Sequence, residues 1–140
     1  MKNNEMPFRV YAHLLARRVG LEVSVGGGTA YASIQDGQAR ISIPAFSPDK
    51  VDETKATWGY VYHEAAHITD SDFELFRSLK NPIHQRLLNI VEDIRNEWDL
   101  PGKYLTAGEA IEDMNQLIFD RDGYCAPAQG EHPSHIVCCY

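Results

Sequence analysis

Cysteine is scarce and badly placed for a disulfide framework: three residues, Cys125, Cys138 and Cys139, all near the carboxyl end. An odd count with two adjacent thiols excludes a stapled secreted fold and suits a reduced compartment. No apolar run reaches the ~18 to 20 residues needed to cross a bilayer, and the opening MKNNEMPFRV lacks the apolar centre of a signal peptide. A soluble, intracellular chain is expected. Positive charge is also short: 13 basic residues face 20 acidic ones for a net charge of -7, so a phosphate backbone is repelled and nucleic acid is not an expected partner. The glycine run Gly26-Gly27-Gly28 lacks the Lys-Ser or Lys-Thr that a phosphate-binding loop requires. What is present is an ordinary globular mixture, 44% hydrophobic and 24% charged over 140 residues, enough for one small core and no separate nucleotide-binding module.

Periodicity predicts an α+β order. Phe8, Tyr11, Leu14, Leu15 and Val19 recur at helical spacing between Pro7 and Val19, with Gly20 as a stop. LEVSV (21–25), TAYASI (29–34) and ARISIP (39–44), separated by the triple glycine and by Asp36-Gly37, alternate as a short antiparallel meander. Asp49, Asp52 and Glu53 after Ser47-Pro48 mark the start of a second helix running to about Ile68. A short helix over 73–79 and a longer one over 83–98 follow, the latter with Leu87, Val91, Ile94 and Trp98 on one stripe and Pro101-Gly102 as its stop. A last helix over 107–119 carries Ala110, Ile111, Met114, Leu117 and Ile118 on its apolar face. Residues 1–119 are thus expected to form the domain, and 120–140, rich in Gly, Pro, Cys and His without period, an irregular tail.

The second helix contains His63-Glu64-Ala65-Ala66-His67. Residues four apart share a helical face, so two imidazoles at this spacing grip one ion. Zinc accepts neutral imidazole nitrogen and favours four positions, which leaves room for one further protein ligand and a water. Glu64 lies beside that open position, where a carboxylate acts as general base on water acidified toward a pKa of ~7. The bland reading is a pair of solvated histidines beside a capping glutamate.

The third ligand is expected from Asn89–Glu97 on the later helix, because one acid with two histidines leaves the site near +1, able to polarise a carbonyl. Glu92 and Asp93 project about 100° apart, so both cannot serve. Glu92 is preferred, since Asn96 one turn on is then placed to support a liganding histidine; the alternative pairs Asp93 with Glu97 by the same spacing. Arg95 is read first as a salt-bridge partner on its helix and second as a group for a substrate carboxylate or an oxyanion, and Asp70 and Asp72 first as helix-end or loop carboxylates, either of which could orient a ligand histidine. Tyr104 and Tyr124 are phenol candidates for the oxyanion, with packing the preferred reading of each, and Trp58, Tyr60 and Tyr62 are expected to pack. His132, His135, Cys138 and Cys139 have metal-ligand chemistry at short spacing without a second half elsewhere, so a tail is preferred over a second zinc site. A metzincin would need Gly and then His or Asp where Asp70 and Phe73 stand, and is disfavoured.

HEAAHITDSDF, LLNIVEDIRNEW and PGKYLTAGEAIEDMNQLIF, together spanning roughly 63–119, resemble the amino-terminal metallopeptidase-like region of phage and bacterial proteins related to the cobaltochelatase von Willebrand-type subunit. His63, Glu64 and His67 match its HExxH, and Glu92, Asp93, Arg95 and Glu97 match its EDxRxE helix. The resemblance implies a zincin-like fold with a gluzincin-type site, in the cytoplasm of a bacterium or phage-infected host. It also implies a downstream von Willebrand-type domain that this sequence does not include, so a protein partner supplying it is a further expectation. The expected function is a zinc (Zn2+) metallopeptidase hydrolysing peptide or protein substrate, with substrate strands adding to the edge at Ala39–Pro44. The rival is a non-catalytic, metal-stabilised protein-binding or assembly module.

Overall fold

The computed structural model describes residues 6–16, 20–44, 47 and 49–122. Its architecture is α+β: five helices and a three-stranded mixed sheet, in the order α1 (Met6–Ala16), β1 (Glu22–Gly27), β2 (Tyr31–Gln35), β3 (Gln38–Pro44), α2 (Val51–Asp70), α3 (Phe73–Ser78), α4 (Pro82–Lys103) and α5 (Ala107–Asp122). Among the described residues, no helix is long and apolar enough to cross a membrane.

The strands do not form the expected antiparallel meander. Their spatial order is β1-β3-β2, with β1 parallel and β2 antiparallel to β3. The cause lies in two connections. Gly26 takes a φ of 116°, which only glycine adopts easily, and the chain leaves β1 to cross to the far side of the sheet. Asp36 and Gly37, with φ of 50° and 79°, then make a tight two-residue hairpin that returns β3 into the gap. Burial explains why β3 takes the centre: Ala39, Ile41 and Ile43 are all essentially inaccessible, whereas β1 and β2 are half-exposed. Ala39–Pro44 is therefore no edge, and the expected docking of a substrate strand there is ruled out by pairing on both sides.

Helix α2 runs through the middle of the core, burying Ala56, Val61, Tyr62, Ala65, Ala66 and Ile68. Its first turn carries Asp52 and Glu53 at the positive end of the helix dipole. Glu53 also bonds Lys50 Nζ at 2.9 Å and accepts from the Ser47 N–H at 2.9 Å, and these partners hold its carboxyl below the ordinary range. Trp58 stacks among Phe8 and Tyr11 of α1, and the Tyr62 hydroxyl meets Thr106 Oγ1 at 2.8 Å, so these aromatics pack as expected.

Helix α4 departs from expectation twice. It continues through Pro101-Gly102 to Lys103, with the Tyr104 N–H donating to the Leu100 carbonyl at 2.9 Å. Pro101 lacks the N–H that would pair with the Glu97 carbonyl, so the helix gives up one bond there and continues for two residues beyond it. Its core-facing residues are Asn96 and Leu100, while the stripe of Leu87, Val91, Ile94 and Trp98 is exposed. Helix α5 buries Ala107, Ala110, Ile111 and Met114 and runs to Asp122, past the expected end at Phe119.

Helices α2 and α5 meet at Gly59. A methyl group there would run into the Ala110 carbonyl oxygen and the Met114 Cβ, so the absent side chain sets how near the two axes come. Alanine is the better helix former by up to ~1 kcal/mol, but backbone cannot yield as a side-chain tip does. Gly59→Ala should therefore destabilise the protein by about 2 to 3 kcal/mol, a fall of roughly 5 to 10 °C in Tm by thermal melting. An unchanged or raised melting temperature would refute this close approach.

Candidate metal centre

The floor of the site is the middle of α2. Buried Ala65 and Ala66 face the core, so the helix turns His63, Glu64 and His67 toward a cleft of about 1130 Å³ bounded by β2, α3, α4 and α5. The second wall is α4, anchored at its start by Asn81, whose Oδ1 accepts from the Ile83 N–H at 2.9 Å, with Pro82 in the first turn. At its other end, Lys103 Nζ reaches Asp70 Oδ2 at 2.7 Å, tying α4 to the end of α2.

Three donor atoms converge between these helices. His63 Nε2 and His67 Nε2 lie 3.2 Å apart, and Asp93 Oδ1 is 2.9 Å from the second and 3.6 Å from the first. Ligands held at ~2.0 to 2.1 Å around a tetrahedral ion are separated by about 3.3 Å, and the three observed separations straddle that value. Asp93 Oδ1 is buried and accepts no hydrogen bond despite its nearness to the imidazole. A buried carboxylate oxygen without a hydrogen pointed at it is costly unless a cation takes that place. His63, His67 and Asp93 thus form a group that could hold a metal ion.

Each imidazole is supported from behind. His63 Nδ1 is 3.1 Å from Glu97 Oε1, and Asn115 Nδ2 of α5 donates to the other Glu97 oxygen at 3.3 Å. His67 Nδ1 is 2.9 Å from Ser71 Oγ and 3.4 Å from Asn96 Nδ2, and Asn96 also donates to Ser71 Oγ at 3.3 Å. Occupying Nδ1 in this way leaves Nε2 to face the convergence point. Burial alone would pull the His63 pKa down, but the Glu97 hydrogen bond and the charges of Glu64, Asp93 and Glu97 outweigh it and raise it.

Glu64 is 4% exposed, borders the same cleft, and makes no hydrogen bond or ion pair with any described residue. Loss of water pushes its pKa up to about 7, with Asp93 adding to the rise and His63 and His67 opposing it. A carboxyl so tuned can both accept and return a proton near neutrality.

The remaining sequence candidates fall elsewhere. Glu92, preferred as third ligand, pairs with Arg95 Nη2 at 2.6 Å, and the structure brings Asp93 to the histidines in its place. Arg95 is further occupied by the Asp70 carbonyl at 2.7 Å and Asn96 Oδ1 at 3.2 Å, so it braces α4 against α2 and does not face the cleft. Asp70 binds Lys103, and Asp72 caps α3 through the Glu74 and Leu75 N–H groups; neither orients a histidine. Tyr104 packs against Tyr62, on the side of α2 away from the cleft. Tyr124 and the His132–Cys139 cluster lie outside the described residues. Ser71 was not singled out from the sequence; its only signal is its position four residues after His67, one turn along the helix.

Comparison of the chain with protein-family models, with curated proteins and with solved structures finds no match. The case for the site is therefore its geometry. Zinc titrated into the metal-free protein should bind at one equivalent, read by competition with a chromophoric chelator. Asp93→Asn should weaken that binding at least about tenfold and Glu92→Gln should leave it unchanged. The reverse order of effects would move the third ligand back to Glu92.

Proposed function

We propose that the protein is a zinc-dependent metallopeptidase of zincin-like construction, with His63, His67 and Asp93 as metal ligands and Glu64 as general base. The observation that carries the reading is the joint presence, on one cleft, of three converging donor atoms and a buried carboxyl that none of them occupies. An ion held there would supply Lewis acidity to a peptide carbonyl oxygen and acidify water. Glu64 takes the proton as the water oxygen adds to the carbonyl carbon. It then delivers that proton to the amine as the carbon–nitrogen bond breaks, and so ends the cycle in its starting form. Glu97 and Ser71 keep the two imidazoles oriented throughout.

Peptide recognition falls to β2, which lines the cleft and has β3 on one side only. The Ile34 carbonyl accepts from Arg77 Nη1 at 3.1 Å and so points away from β3. By the alternation of an antiparallel pair, Ala32 directs its N–H and carbonyl the same way, open to an extended peptide.

Two variants test the reading against digestion of a mixed peptide library, followed by mass spectrometry. Glu64→Gln should retain zinc and lose at least about 100-fold in turnover, because the amide cannot take the proton; undiminished cleavage would remove Glu64 as the base, and bound zinc with no cleavage by the unaltered protein would leave a structural metal site only. Ala32→Pro deletes one outward N–H on an edge strand, where proline is tolerated. It should impair cleavage with little change in Tm, and unaltered turnover would remove β2 as the docking edge.

A further inference from the structure

The exposed stripe on α4 has a pattern of its own. Leu87, Val91, Ile94 and Trp98 follow one another at intervals of four, three and four residues, the spacing of the apolar seam in a pair of packed helices. Their exposure is high for such residues: Val91 59%, Ile94 55% and Trp98 84%, with Ile83 at 61% extending the stripe toward the start of the helix. The face that α4 turns to its own core carries Asn96 and Leu100 instead, so the helix has a second apolar side that is exposed among the described residues.

We propose that this stripe is a dimerisation seam, and that its occupant is α4 of a second copy of this chain, packed antiparallel about a two-fold axis between Val91 and Ile94. The stripe is self-complementary in that arrangement. Reversing α4 about its 92/93 midpoint brings Val91 opposite Ile94 of the second copy, and Leu87 opposite its Trp98. Small then meets large at both ends of the seam, and each contact occurs twice.

Charge favours the same direction. Outside the site, the first part of the helix exposes Arg86 and the later part exposes Asp99, while Glu97 is held by His63, Arg95 by Glu92 and Lys103 by Asp70. Reversal about the same midpoint sets Arg86 of one copy opposite Asp99 of the other, whereas parallel pairing sets Arg86 beside Arg86. Arg86 and Asp99 take part in no ion pair with described residues. The area is also sufficient. The five apolar side chains expose on the order of 500 Å² per copy, so their mutual burial removes about 1,000 Å², the threshold for a specific interface before any polar rim is added. Ile94 lines both the seam and the rim of the cleft, so the second copy adds a wall to a cleft that the single chain leaves open.

The 140-residue chain tests this by light-scattering mass after size exclusion and by sedimentation equilibrium. The expected species is twice 15.8 kDa. Val91→Asp and Trp98→Ser should each raise the dimer dissociation constant at least about 100-fold, with far-UV circular dichroism unchanged because both positions face outward. In a Trp58→Phe background Trp98 is the sole indole, and its emission should shift red on dilution through the dissociation constant. A dimer indifferent to both substitutions would overturn the proposal, as would a monomer at high concentration. A concentration-independent blue-shifted Trp98 in that monomer would assign the stripe to another segment of the same chain, and a red-shifted one would leave it to a different partner.

Discussion

Charge balance on the wall of a half-open cleft governs how this molecule is built. Glu64, Asp93 and Glu97 meet His63 and His67 where α2 and α4 face each other, and the oxygen nearest the imidazoles accepts no hydrogen bond. Glu64 is buried and the other four are partly so, and their loss of water needs something to offset it. The surrounding bonds serve that end: Asn96 is sunk into the protein to reach Ser71 and His67, and Arg95 and Lys103 fasten α4 to the carboxyl end of α2. Helix α5 completes the brace from the far side, through Asn115 and through the close approach at Gly59.

The parts of this arrangement that depend on one helix alone could be read from the sequence. The four-residue step between His63 and His67 is a property of helical geometry; Asn96 does reach a histidine, but in company with Asp93 and not with the expected Glu92. What depends on how one helix rolls against another could not. A 100° rotation separates Glu92 from Asp93, and the roll of α4 is set by Leu100 and Asn96 settling inward and by Arg95 claiming Glu92. The apolar stripe of Leu87, Val91, Ile94 and Trp98 pointed the other way, because periodicity reports that a face is apolar without saying what covers it.

The sheet illustrates the same boundary. Three short alternating segments were legible, as was the Asp36-Gly37 hairpin. Strand order was not, because the excursion after Gly26 carries β2 past the place that β3 later fills. Composition gave little hint of the outcome, since β3 carries Gln38, Arg40 and Ser42; the contrast with its neighbours appears in the burial of Ala39, Ile41 and Ile43.

The guanidinium of Arg77 on the Ile34 carbonyl bears on a different hazard. A bare strand at the margin of a sheet is a template on which chains stack into fibres. By plugging one acceptor near the hairpin, α3 shortens the ladder that any newcomer can build along β2. A brief, reversible visitor still finds purchase near Ala32, while the long continuous register needed for runaway polymerisation is interrupted before it begins.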